Sequence, residues 1–400
     1  MAYSSPSESW LSKLSDPVFA AAWAKAGISA ACPSIGSQSE RIEATKSIRA
    51  LTEAEYAPLN SLFADAARFA DEDGVNAMRL AAKGQIVELD AVFAGLNGSE
   101  DRALWVLVHR PEIMPIAEDY LSSDILLRRG AKYGNRYQAS PKPDLELEDL
   151  ALEGLEASIR AIFEKRHWAT DRLKIDPIGR PGLDGDSRPV IQVTIRHGQP
   201  AETRADWSKE RIGEVRYRPV KDIFLLFTPE TGQLDIVSER GGEGLRTALA
   251  DAFCADVLDQ RPPDKVVRVD VDLASLLEPR SFPTEPQDGI ASVRLAQLKM
   301  SSMAGFTVSL EASLGGSVWD MKDALSVVRD AAYRPLQAAL EFAFLPDAPN
   351  RRPTRRLTRL SSPNGLSFPR ATSQQKEMME RHLRQWGIIG GGDSSAERPA

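Results

Sequence analysis

"DIFLLFTPETGQLDIVSE", Asp222 to Glu239, is the segment from which the fold class follows. Ile223 to Phe227 is apolar on both faces, Pro229 to Gly232 carry turn chemistry, and Leu234 to Val237 supply a return strand. Two strand-length runs joined by a short turn read as an antiparallel hairpin. Just upstream, "VIQVTIRH" (Val190–His197) alternates with period two. Ile191, Val193 and Ile195 share one face, and Gln192, Thr194 and Arg196 the other, as expected of a half-buried strand. Downstream come a helical stretch, "GLRTALADAFCADVL", and three strand-like runs, "VVRVDVDL", "ASVRLAQLKM" and "FTVSLEAS". Strands outnumber helices here and join mostly through turns, so the class is α+β with a mainly antiparallel central sheet rather than a βαβ repeat.

The flanks are helical. Between Ile42 and about Leu127, apolar residues recur at helical spacing, as in Leu59, Leu62, Phe63, Ala66, Ala67 and Ala70. "GAKYGNRYQASPKPD" (Gly130–Asp144) reads as a linker, because Gly, Pro, Ser and basic residues crowd it. In "LELEDLALEGLEASIRAIFEKRHW" the helical period returns, with acidic residues at the start and Lys165, Arg166 and His167 at the end, as the helix dipole favours. His167 reads as a capping or surface residue. "MKDALSVVRDAAYRPLQAALEFAFL" (Met321–Leu345) reads as a long helix broken near Pro335. The final "ATSQQKEMMERHLRQWGII" reads as a helix opened by a Thr372–Gln375 capping box and closed by Gly387. Met379, Leu383 and Trp386 form its apolar face, with Arg381, His382 and Arg384 on the polar side. The expected division is a polar, partly disordered leader (1–36), a helical domain and linker (37–143), an α+β domain (144–346), a basic arm with the terminal helix (347–389) and a disordered tail (390–400).

The 400 residues are 42% hydrophobic and 27% charged, an ordinary globular balance. No secretory leader is indicated and no stretch of about 18 apolar residues occurs, so no membrane partner is expected. Cys32 and Cys254 are too few and too far apart for a disulfide framework, which suits a reducing cytoplasm, and both read as small buried hydrophobes.

No motif fixes a reaction. The four histidines, His109, His167, His197 and His382, stand in separate segments without a metal-ligand spacing, so neither a metal nor a cofactor is expected. Asp270 and Asp272 are an i, i+2 carboxylate pair of the kind that holds Mg²⁺ on a strand. The apolar alternation of Val267, Val269, Val271 and Leu273 makes them the wet side of an amphipathic strand instead. Gly241, Gly242 and Gly244 read as a tight strand-to-helix turn, since no phosphate-loop spacing is completed. Cys254 is mid-helix and no G-x-S-x-G elbow occurs.

The anomaly is charge. The chain has a formal net charge of -7, yet Ala348 to Lys376 holds Arg351, Arg352, Arg355, Arg356, Arg359, Arg370 and Lys376 without an Asp or Glu. Arg381 and Arg384 follow on the terminal helix. Arginine forks hold phosphate or carboxylate bidentately, so these residues are the candidate binding set. The expectation is a cytoplasmic, non-catalytic binding or scaffold protein acting through this basic arm. A protein partner or self-association is favoured over a nucleic-acid backbone. The alternative is an enzyme such as a metal-dependent nuclease or hydrolase, its site assembled from distant residues, with Asp270, Asp272 and His197 as candidates.

Overall fold

The computed structural model describes residues 8–85, 87–130, 132–181, 189–199, 201–208, 211–261, 266–267, 269–302, 306–313, 315–321, 333–345, 353–369 and 371–390. Contacts divide the chain into two units, Met1–Ser123 with Ile178–Val190, and Asp124–Pro177 with Ile191–Ala400. The boundaries expected at 143/144 and 346/347 both fall inside the second unit. The class is α+β with antiparallel sheets, as the sequence indicates.

The first unit is helical: α1 (Asp16–Lys25), α2 (Gln38–Arg49), α3 (Glu53–Arg68), α4 (Glu72–Gly84), α5 (Ser99–His109) and the start of α6 (Met114–Arg128). Its starts follow local chemistry. Ser37 and Glu40 form a capping box on α2, and Asp71 accepts from the Gly74 N–H on α4 at 2.8 Å. Residues 10–35 differ from the expected leader: Leu11, Phe19, Trp23 and Ile35 are buried, and Phe63 of α3 meets Trp10 edge-on at 5.0 Å. The α3 stripe is confirmed at Leu59, Phe63 and Ala66, whereas Ala67 is exposed.

The second unit carries two larger sheets. The first has strands β1 (Gly134–Gln138), β2 (Leu173–Arg180), β3 (Val190–Gly198), β6 (Val220–Thr228), β7 (Gln233–Ser238) and β8 (Val266–Val267), in the order β2-β3-β6-β7-β1-β8. A separate hairpin joins β4 (Glu202–Ser208) to β5 (Arg211–Tyr217). The hairpin at Asp222–Glu239 forms as read, with Phe227 opposite Leu234. Ile191, Val193 and Ile195 face a core completed by α7 (Leu152–Lys165) and α8 (Gly242–Asp256) through Leu155, Ile159, Phe163, Leu249 and Phe253. β3 is not half-buried, however. Gln192 and Thr194 are buried too, because the second face is also covered and carries Phe224, Leu226 and Val237. The expected linker contains β1, hydrogen-bonded between β7 and β8, with Tyr137 buried and its hydroxyl 3.1 Å from Thr247.

The second sheet has the order β10-β9-β11-β12-β13, from β9 (Ile290–Ser302), β10 (Thr307–Glu311), β11 (Tyr333–Phe344), β12 (Thr354–Ser361) and β13 (Gly365–Ser367). β11 corrects the reading of 321–345 as helix, of which 322–332 lie outside the described residues. Its Ala, Leu and Glu favour a helix intrinsically, but Ala338, Leu340, Phe342 and Phe344 are buried on one face, with Ala339 buried on the other, and long-range packing overrides propensity. Pro335 sits near the strand's start beside a register shift between Pro335 and Gln337. The basic segment is likewise no arm: Thr354–Ser361 pairs along its length with β11 and in part with β13. The terminal helix α9 (Ser373–Gln385) covers one face of this sheet and has the expected ends. Thr372 and Gln375 exchange both capping-box bonds, and the Gly387 and Ile388 N–H groups return to Arg384 and Leu383, both at 2.9 Å.

The same helix-ending motif closes α7 with a different residue. The His167 N–H bonds the Glu164 carbonyl at 2.9 Å and the Trp168 N–H that of Phe163 at 2.9 Å, while His167 takes φ 57°. That is the position glycine occupies at lowest cost, since a side chain there crowds its own carbonyl. The hydrophobic contact that accompanies the motif is present, with the Phe163 and Trp168 rings 5.2 Å apart. His167→Gly is expected to raise unfolding free energy by about 0.5–1 kcal/mol, the relief of left-handed strain less the added unfolded-state entropy. Urea denaturation checks it, and a loss of stability would show that the imidazole contributes contacts exceeding the strain.

Candidate binding surface

On β12 the two-residue period separates the arginines. Arg356, Thr358 and Leu360 point toward α9, where Arg356 Nε donates to Gln375 Oε1 at 2.9 Å and Thr358 lies 3.5 Å from Met379 Sδ. Arg355, Leu357 and Arg359 point the other way and are exposed, Leu357 to 36%. Register places Ala343, Glu341 and Ala339 of β11 beside these three, and Ser292, Arg294 and Gln297 of β9 beyond them. Gln337, Lys299 and Ser309 form the next row, with Glu311 opposite Gln297.

This face carries Arg294, Lys299, Arg334, Arg355 and Arg359 against the carboxylates Glu311 and Glu341. One carboxylate is shared. Glu341 Oε1 accepts from Arg294 Nε at 2.8 Å and from Arg355 at 3.2 Å. The Arg294 hydrogen bond, aided by the charges of both arginines, holds the Glu341 carboxyl below its usual range. Arg359 has no ion-pair partner among the described residues. No aromatic side chain stands on this face among the described residues; Tyr333 and the phenylalanines of β11 pack into the α9 side.

The remaining candidates divide. Arg351, Arg352 and Arg370 lie outside the described residues. Arg381 bonds Asp288 at 2.5 Å and lies 3.9 Å from Glu285, while Lys376 lies 3.9 Å from Glu380. Arg384 is exposed. The set expected to act together is therefore split between two faces of the sheet and the surface of α9.

His382 was expected on the polar side of α9 and is fully buried instead. Its Nε2 lies 2.6 Å from Asp288 Oδ2, and its ring stacks on Trp386 at 5.3 Å. The hydrogen bond from Arg381, then that from His382, holds the Asp288 carboxyl below the ordinary range. The pair pins α9 to the turn before β9. A period-3.6 reading could have found it, since His382 lies one residue from Leu383 and four from Trp386, on the apolar arc; its polarity concealed it.

The enzyme candidates are not brought together. Asp270 and Asp272 are exposed on either side of buried Val271, whose single bridge is to Ile389, and Asp272 caps the Ala274 N–H at 2.9 Å. His197, on β3, is buried between Phe163 (5.0 Å) and a parallel Trp168 (4.9 Å). Gln199 approaches its Nδ1 at 3.1 Å, and Arg240 in turn donates to Gln199 at 3.0 Å. A small crevice here is lined by Trp168, His197, Lys221 and Arg240, with Lys221 paired to Glu239 at 2.6 Å. Burial, and then the Arg240 charge, push the His197 imidazole down to about 4, so it is neutral near pH 7. Gly241 takes φ 90°, and a Cβ there would meet Leu245 Cδ2 at 2.3 Å, so the loop is the tight strand-to-helix turn expected. Cys254 is buried, with its thiol pushed to about 11 by desolvation, whereas Cys32 is exposed, contrary to expectation. No family model matches this chain, and no curated protein matches it significantly.

His197 gives a pH test. Its folded value lies below the unfolded one of about 6.5, so the unfolded chain binds the extra proton between the two. The stabilisation is complete above about pH 6.5 and is lost as pH falls toward 4. The loss expected over that window is on the order of 2 kcal/mol. His197→Phe should flatten this limb of the stability curve. An unchanged slope in denaturant titrations at pH 7, 6, 5 and 4.5 would assign the acid sensitivity elsewhere.

Proposed function

We propose that this protein is a non-catalytic binding protein that holds an acidic protein surface on the face of its second sheet opposite α9. The observation that supports the reading is the set of cations standing on a strand ladder whose other face is fixed by α9, in a chain whose net charge is negative. A sheet presents Arg355 and Arg359 about 13 Å apart along β12, with little backbone entropy left to lose on binding. Exposed Leu357 and half-buried Ala343 offer apolar contact area between them.

Nucleic acid is the weaker reading for two reasons. Single strands bind sheet faces by stacking bases on aromatic side chains, and this face has none among the described residues. Backbone-only binding needs many free cations, yet Arg355, Arg356 and Arg381 are engaged with Glu341, Gln375 and Asp288.

Fluorescence anisotropy with a labelled glutamate-rich peptide, a single-stranded oligonucleotide and a duplex at low ionic strength tests this. The peptide is expected to bind and to weaken with salt, and Arg359→Glu to cost about three- to tenfold in affinity. Tighter binding of either nucleic acid, lost in the same variant, would replace the reading. No binding to any probe would end it.

A further inference from the structure

The same chain carries a surface complementary to that face. Between Lys142 and Arg160 stand Asp144, Glu146, Glu148, Asp149, Glu153 and Glu156, with no Lys or Arg among them. Buried Leu145, Leu150 and Leu155 alternate with this run and anchor it on the first sheet's core, so the backbone carrying the carboxylates is fixed. Asp144, Glu146, Glu148, Asp149 and Glu153 are exposed. Of the six, Glu156 is held by Arg160 on the next helical turn, whereas Asp144, Glu148 and Glu153 have no ion-pair partner among the described residues. The acidic ledge and the basic sheet face belong to one contact unit, and since both are exposed, neither is covered by the other.

We infer that the occupant of the basic face is the acidic ledge of a second copy of this chain, giving head-to-tail self-association. The inference rests on the reading of the sheet face as a binding surface for acidic protein. Two opposing effects set its range. The net charge of -7 on each copy repels at long distance. At physiological salt that repulsion is screened over about 8 Å, so charges meeting at contact dominate over the monopoles. Opposite-sign patches on one chain then select a heterologous contact, in which face meets ledge rather than face meeting face. Such contacts close into a dimer or ring when the rotation allows it, and otherwise extend as chains. Interlocking Leu357 with the apolar residues between the carboxylates would add little area, so the association is weak and salt-controlled.

The test is a pair of single-sided variants of the full chain. One reverses the face with Arg334→Glu and Arg359→Glu; the other reverses the ledge with Asp144→Lys, Glu148→Lys and Glu153→Lys. All five positions are exposed and outside the ion pairs that hold the fold, and thermal melts confirm folding. In analytical ultracentrifugation the parent is expected to gain mass with concentration at about 0.15 M salt and to return to monomer toward about 1 M, where screening shortens to about 3 Å. Each variant alone stays monomeric, and an equimolar mixture associates again, because one native contact and one swapped contact are restored. A parent that is monomeric throughout, or an assembly indifferent to salt and to both variants, overturns the inference. If that monomeric parent still binds the glutamate-rich peptide, and the face variant does not, the proposed function stands while self-association fails. If the peptide is not bound either, both fall together.

Discussion

Everything on the second sheet depends on what α9 buries against it. Met379, Leu383 and Trp386 share a core with Leu298, Leu340, Phe342 and Leu360, and burial of each large side chain is worth roughly 1.5–3 kcal/mol relative to exposure. His382 and Asp288 add a directional contact inside that apolar layer, which fixes the rotation of the helix as dispersion alone does not. Once α9 occupies one face, the two-residue period of β12 leaves Arg355, Leu357 and Arg359 no choice of side. The basic surface is thus a consequence of helix docking, and a one-residue slip of β12 would bury it.

The legible parts of the fold were those in which local chemistry and long-range packing agree. The β6–β7 hairpin, the α9 capping box and the two helix-ending motifs are set by residues within a few positions of one another, which one sequence contains in full. β1 and β11 failed for opposite reasons. Gly134–Gln138 is too short and polar to show a period, and it becomes a strand only because β7 and β8 supply its partners. Leu336–Phe344 is strong in helix formers, and only Pro335 spoke against a helix. The site was half legible: the anomalous charge was visible, but its division between two faces needs register, and the burial of His382 needs Asp288, ninety-four residues away.

The composition raised a question that the pairing answers in part. Seven cations without a carboxylate in one segment look uncompensated along the chain, but compensation in space comes from elsewhere: Glu341 for Arg355, Glu380 for Lys376, and for neighbouring Arg381 the carboxylates Asp288 and Glu285. These pairs differ in worth. Lys376–Glu380 and Arg381–Glu285 are both long at 3.9 Å, and the second, exposed on both sides, falls in the range of about 0–1 kcal/mol. Asp288 is buried, and removing Arg381 would leave its carboxylate with His382 alone in an apolar layer, a larger loss. The structural arginine is therefore Arg381, while Arg359 adds almost nothing to stability that can be traced to a partner.

A charge that contributes little to its own fold, yet is held on a rigid ladder, is suited to binding. A flexible arm carrying the same arginines would attract any polyanion, but each contact would carry the entropy of ordering its chain, and selectivity would be low. A strand spaces its cations by its own repeat and presents them in one plane, so it favours a partner whose charges are equally fixed. The carboxylates between Asp144 and Glu156 satisfy that condition because buried leucines hold their backbone, which no flexible polyanion can match. The same two surfaces also explain how a chain with 57 acidic and 50 basic residues separates its charge. The acidic run is anchored on the first sheet's core and the basic face lies on the second sheet, and both patches are exposed within the one molecule.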